Sequence, residues 1–175
     1  MPTLGLKVQQ NGFFQGWLSI VGATFGFEAV DDSAGTTHDG ATTHITIDKA
    51  NTVSFPMFYQ AEGLQPVSIT LNVAAQRGGA THPQLLIGFY RSGVTAFSGS
   101  LFNPTSSYTV TSRTFSVNPF TGAAWVVEDL VGLEACVKGE TGVNGNNDVT
   151  LISGNIDYVA RRSWHWPEPQ PKGLQ

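Results

Sequence analysis

The densest collection of side chains able to do chemistry is Asp31-Asp32, followed by His38-Asp39-Gly40 and His44. Carboxylates and imidazoles this close raise the question of a metal. Calcium takes about six to eight oxygens from a loop with regularly spaced carboxylates. This stretch lacks the Asp-x-Asp-x-Asp-Gly spacing. His38 and His44 have no third ligand at a spacing that would complete a zinc site. A turn explains the cluster better, and no metal site is expected. Hydrolysis needs paired carboxylates, or a nucleophile with a positioned base and an orienting group. The chain has no Gly-x-Ser-x-Gly, no His-Glu-x-x-His, no phosphate-binding glycine loop and no cysteine in a recognisable His context. The expectation is a protein without enzyme activity or cofactor. Cys136 is the sole cysteine, which rules out an intrachain disulfide, and its setting in Ala135-Cys136-Val137 reads as a small buried apolar residue.

Aromatic side chains are the stronger lead, because they supply large flat contacts at low entropic cost and can stack on sugars or fill protein pockets. Trp164 and Trp166, flanked by Arg161 and Arg162, fit a partner anchor, and Phe13 and Phe14 fit a second one at the other end. The alternative for the two tryptophans is a plug folded back over the domain. Tyr59, Tyr90 and Trp125 could serve as sugar platforms if exposed, although Trp17 and Trp125 lie beside strand or helix signals that favour the core.

These residues must be carried by a fold, and 175 residues suit one domain with one core. Hydrophobic residues make up 41% of the chain and charged residues only 13%, about half the usual share. The surface is therefore built from Ser, Thr, Asn, Gln and Gly, which suits packing against neighbouring subunits. A net charge of −4 with scattered Lys and Arg offers no basic stripe for nucleic acid. Residues 1–10 lack the basic start and apolar run of a signal peptide, and no stretch approaches the roughly 20 apolar residues of a membrane helix. Folding in a reducing cytoplasm is the expectation.

Short β-branched and aromatic runs separated by Gly, Pro, Asn and Asp clusters predict an all-β, antiparallel sandwich. Residues 67–75 alternate most clearly, with Val67, Ile69, Leu71 and Val73 set against Ser68, Thr70 and Asn72. Further strands are expected at 25–30, 43–47, 53–59, 84–91, 108–117 (with a face change near Ser112) and 149–159. In the last, the parity of Val149 and Leu151 differs from that of Ile156 and Tyr158, predicting a bulge at Ser153-Gly154. Residues 127–136 are spaced like a short amphipathic helix of one or two turns, and residues 139–148 read as an exposed mobile loop. The expected organisation is an N-terminal arm (1–16), a sandwich (17–160) and a stiff, proline-containing C-terminal arm (161–175).

Four pieces of the chain together resemble a jelly-roll-like β-sandwich module of tailed-bacteriophage virion proteins. They are Trp17 with Gly22-Ala23-Thr24, the Glu28-to-Asp32 and His38-to-Thr43 stretch, the strand at 67–75 leading to Arg77-Gly78-Gly79, and Tyr108 onward into Asn118-Pro119-Phe120-Thr121-Gly122-Ala123-Ala124-Trp125. The last is the most specific; in that family a short acidic helix and an apolar strand follow it, as Glu128-Asp129-Leu130 to Val137 would here. Val126 and Val127 stand where the family often has Trp or Thr. The resemblance implies a virion structural protein made in the host bacterial cytoplasm. A capsid decoration or head-surface protein is the expectation, held to the major capsid protein or other virion subunits by the arms. A homo-oligomer, with a trimer as first choice, would multiply weak contacts. The alternative is a tail, neck or fibre component, including a carbohydrate-binding module with a glycan as ligand.

Overall fold

The computed structural model describes residues 2–8, 10–30, 42–58, 64–140 and 144–160. Among the described residues ten strands follow one another: β1 (Thr3–Val8), β2 (Ser19–Val21), β3 (His44–Asp48), β4 (Thr52–Phe58), β5 (Leu64–Arg77), β6 (Leu85–Arg91), β7 (Val94–Phe97), β8 (Thr109–Phe115), β9 (Glu134–Gly139) and β10 (Asn146–Ala160). One 3-10 turn, η1 (Val127–Leu130), precedes β9. The fold is an antiparallel β-sandwich, as the alternating pattern predicted.

One sheet runs β8-β5-β10, and the far edge of β10 is shared along its length, first by β3 with β2 outside it, then by β1. The other sheet runs β4-β9-β6-β7. β1 joins the two at one corner through Lys7↔Phe58 and Val8↔Met57. Alternate residues fill the space between them: Ile69, Leu71, Val73 and Ala75 from β5 face Val53 and Phe55 of β4, Ala135 and Val137 of β9, and Leu85, Ile87 and Phe89 of β6 as one buried cluster. β6 and β7 meet in a tight hairpin in which Ser92 and Gly93 both have positive φ (49° and 92°), the geometry that matches strand twist in a two-residue turn.

Several expectations are corrected. Residues 1–16 are not an arm outside the sandwich, since they contain β1, and Leu6 and Val8 are core residues. Residues 25–30 form a turn rather than a strand. There the N–H groups of Glu28, Ala29 and Val30 bond three residues back, and the Glu28 carboxylate accepts from Thr24 and Phe25 N–H at 3.0 Å, capping the turn as a strand could not allow. The bulge in β10 falls at Thr150, where the register against β5 slips between Val149 and Leu151, not at Ser153-Gly154. At that slip Ile152 N–H donates to Val30 O, filling the gap where β10 passes from β3 to β1. β8 has no face change: its register against β5 is unbroken, and Thr111 and Arg113 simply occupy core-side positions at a sheet edge. Helical structure ends at Leu130, and Cys136 lies in β9. The expected loop at 139–148 is shortened from its C-terminal side, because Asn146 and Asn147 begin β10, and buried Asn147 donates to Pro83 O at 2.7 Å. Asp31, Asp32, His38, Asp39, Tyr59 and the whole arm at 161–175 lie outside the described residues.

Candidate functional site

Strand parity gives the β4-β9-β6-β7 sheet an outward face on which Pro56, Glu134, Tyr90 and Thr95 form one cross-strand row, and Ser54, Cys136, Gly88 and Phe97 the next. Residues 12–16 run along the free edge of β4 beyond β1. Gly12 N–H donates to Ser54 O (2.9 Å), Ser54 N–H to Phe14 O (3.0 Å) and Gly16 N–H to Thr52 O (3.0 Å). From that edge the Phe13 and Phe14 rings extend across the face. Phe13 stacks on Tyr90 with centroids 4.8 Å apart and planes at 16°, while Phe14 meets Tyr90 edge-on at 5.1 Å and Phe13 at 5.0 Å.

Glu134 fixes this cluster. Its Oε2 accepts from Phe13 N–H at 2.8 Å and from the Ser54 hydroxyl, while Ser54 Oγ accepts from Phe14 N–H at 3.0 Å. The result is a preset platform in which one face of Phe13 is spent on Tyr90 and the ring remains 66% exposed. Gly12 makes the approach feasible, since a Cβ there would lie 2.4 Å from both Glu134 Oε2 and Ser54 O. Gly12→Ala is therefore expected to push residues 12–14 off the sheet and lower stability by about 1–3 kcal/mol, as overpacking does. Near-ultraviolet circular dichroism should show the loss of the Phe13–Tyr90 stack, and an unchanged spectrum would count against this geometry.

Cys136, in the next row and beside Ser54, is wholly buried. Burial, reinforced by the charge on Glu134, pushes its thiol far above the ordinary range, so it is poorly suited to act as a nucleophile.

At the end of the row, past Pro56 and Glu134, a depression of about 500 Å³ is lined by Gln10, Met57, Leu130, Val131 and Leu133. η1 shapes it. Asp129 accepts from Val126 N–H (3.0 Å) and from Arg91 Nη1 (3.1 Å), and Arg91 Nη2 donates to Glu128 O (2.9 Å), so the turn is tied to β6. Burial raises the Asp129 carboxyl, but the Val126 N–H, the Asn118 side chain and the Arg91 guanidinium together outweigh it and hold the group below its ordinary 3.8. A depressed folded-state value means stabilisation that is whole above about 3.8 and lost as pH falls through the lower folded value. Unfolding free energy should thus decline in acid less steeply in Asp129→Asn than in the parent, a comparison that denaturant titrations at several pH values would make. Parallel declines would remove Asp129 from the account.

The anchors and platforms anticipated from sequence are distributed unevenly. Phe13 and Phe14 are brought together with Tyr90, but on the sheet rather than on a free arm. Tyr90 is 8% exposed and serves as the base of the stack. Trp125 is buried, with its indole N–H donating to Phe115 O at 2.8 Å, so it offers no platform. Trp17 is partly buried against the core and stacks on Phe55. Arg161, Arg162, Trp164 and Trp166 lie outside the described residues. Glu134, Gln10 and Val131 escaped the sequence reading, although the alternation of Leu4, Leu6 and Val8 was a signal for the strand that leads to Gln10. Among the described residues no three His, Cys, Asp or Glu side chains cluster as metal ligands.

No protein-family model matches the sequence, and no curated protein does. Among solved structures the chain is similar to the CBM22-1 xylan-binding domain of Paenibacillus barcinonensis Xyn10C, at 13% identity and TM-score 0.45, over 90% of this chain and 95% of that one. It is also similar to the N-terminal cellulose-binding domain of Cellulomonas fimi β-1,4-glucanase C, at 13% identity and TM-score 0.39, over 88% and 96%. A third, the catalytic domain of a GH87 α-1,3-glucanase in complex with tetrasaccharides, matches at 12% identity and TM-score 0.38, over 98% of this chain and 30% of that one.

Proposed function

We propose that this chain is a non-catalytic binding module that holds a glycan on the outward face of the β4-β9-β6-β7 sheet. The observation that carries this reading is Phe13: a 66% exposed ring held by backbone hydrogen bonds and by the stack on Tyr90. A sugar ring has an apolar face of C–H groups that packs on such a platform and a polar edge that the surrounding side chains and water can bond. The platform is preset, so binding orders little of the protein, which reduces the entropic cost. A glycan array probed with the wild-type chain should retain a discrete set of sugars that Phe13→Ala releases. A blank array at high protein concentration would sink the reading.

A second reading, a virion structural protein of a tailed phage, is favoured by one stretch. Asn118 is buried with its Oδ1 accepting from Phe120 N–H, Trp125 is core, and acidic η1 and apolar β9 follow in the order that the motif resemblance implies. In this reading the chain is made in the host cytoplasm and carried on the particle, as a decoration protein bound to the major capsid protein or as a tail or fibre component, and it self-associates. Purified particles lacking the protein should take up the full chain but not one truncated after residue 160. Equal uptake of both would remove the C-terminal anchor from this reading.

A further inference from the structure

We infer that the depression beside the Phe13 platform selects an acetamido-bearing sugar, an N-acetylhexosamine, within the same oligosaccharide as the stacked unit. The inference rests on the glycan reading and narrows its ligand class. Pro56 and Glu134 line the depression and belong to the same cross-strand row as Tyr90. Tyr90 and Pro56 are two strand spacings apart, about 10 Å, so one oligosaccharide of three units can cover both places.

The chemistry of the depression then separates sugars. The depression is lined by the buried Leu130, Leu133 and Met57 and by Val131, which is 66% exposed. Val131 is presented outward because η1 ends there. Val131 is extended (φ −68°, ψ 121°), Gly132 follows at φ +67°, and Leu133 N–H returns to Leu130 O at 3.2 Å while Leu133 O accepts from Met57 N–H at 3.2 Å. Among the described residues, and apart from backbone groups, only the Gln10 amide and the Glu134 carboxylate bring polarity to the rim. A hydroxyl-only sugar would turn hydroxyls toward Val131 and the leucines and lose hydration without recompense. An acetamido group places its methyl on that apolar surface and leaves its amide at the rim, within the chemistry that the Gln10 amide can both donate to and accept from. At about 500 Å³ the space lies within the range of small-molecule sites, about 300–1,000 Å³.

The test is calorimetric titration of the full chain with a β-1,4-linked tetramer of N-acetylglucosamine and with the corresponding glucose tetramer. The wild type should prefer the acetamido series about fivefold or more, the worth of a buried methyl and its contacts. Val131→Asp, with an unchanged melting temperature, should reduce that ratio toward one, whereas Phe13→Ala should weaken both series. Equal affinities in the wild type, a preference for the glucose series, or a ratio untouched by Val131→Asp would overturn the inference while leaving the glycan reading intact. Binding of neither sugar would overturn the inference, and an accompanying blank glycan array would end the glycan reading as well.

Discussion

Trp125→Ala is expected to lower the unfolding free energy by about 3–5 kcal/mol, the usual loss when a large aromatic leaves a packed core. The indole is buried, packs edge-on against Phe89 at 5.8 Å, and Phe89 in turn meets Phe115 at 4.7 Å. Its N–H donates to Phe115 O, and its own carbonyl accepts from Gln65 Nε2, so this one residue links β5, β6 and β8 at the point where the chain enters η1. Trp125→Phe retains most of the volume but leaves the Phe115 carbonyl without its donor, a loss of about 1–3 kcal/mol. Denaturant titration should rank wild type above Trp125→Phe and Trp125→Ala last. Equal losses in the two variants would mean that the hydrogen bond, not the ring volume, dominates. Because η1 presents Val131, the alanine variant should also loosen the depression beside Glu134.

The largest effect on binding is expected from Phe13→Ala. Removing the ring takes away the contact area that a sugar face would cover, worth about 1–2 kcal/mol for part of an aromatic side chain, or about a five- to thirtyfold loss of affinity. Stability should change little, because the ring is mostly exposed and the backbone bonds of residues 12–16 do not need it. That separation is informative. Phe13→Tyr should retain binding, and a variant that lost binding only in step with its melting temperature would instead indicate a structural role for the platform.

Local alternation made much of the fold legible. β5 shows it over nine residues, and β3, β4, β6, β8 and β10 were anticipated within a few residues of their ends. The core positions of Trp125 and Cys136 were readable from their neighbours. β2 and β7 were not, because three- and four-residue strands are too short to display a period. Residues 25–30 misled for the opposite reason: Phe25, Phe27 and Ala29 alternate like a strand, but the Glu28 carboxylate captures the preceding N–H groups and closes a turn. Of the candidate site, Phe13, Phe14 and Tyr90 were singled out separately as aromatics. Their union was illegible, since it depends on pairing partners far apart in sequence: β4 with β9, β9 with β6, and residues 12–16 with the β4 edge. Glu134 gained its importance only from that register, which places it between Pro56 and Tyr90 under the Phe13 N–H.

The central claim is that ligand meets the outward face of the β4-β9-β6-β7 sheet. Its most direct test is a nuclear magnetic resonance titration of the isotope-labelled chain with an oligosaccharide retained on the array. The account predicts that shift changes gather on Phe13, Phe14, Tyr90, Thr95, Glu134 and Val131 and leave β5, β8 and β10 unmoved. Changes centred on the opposite sheet, or only on loops at one end of the sandwich, would contradict it.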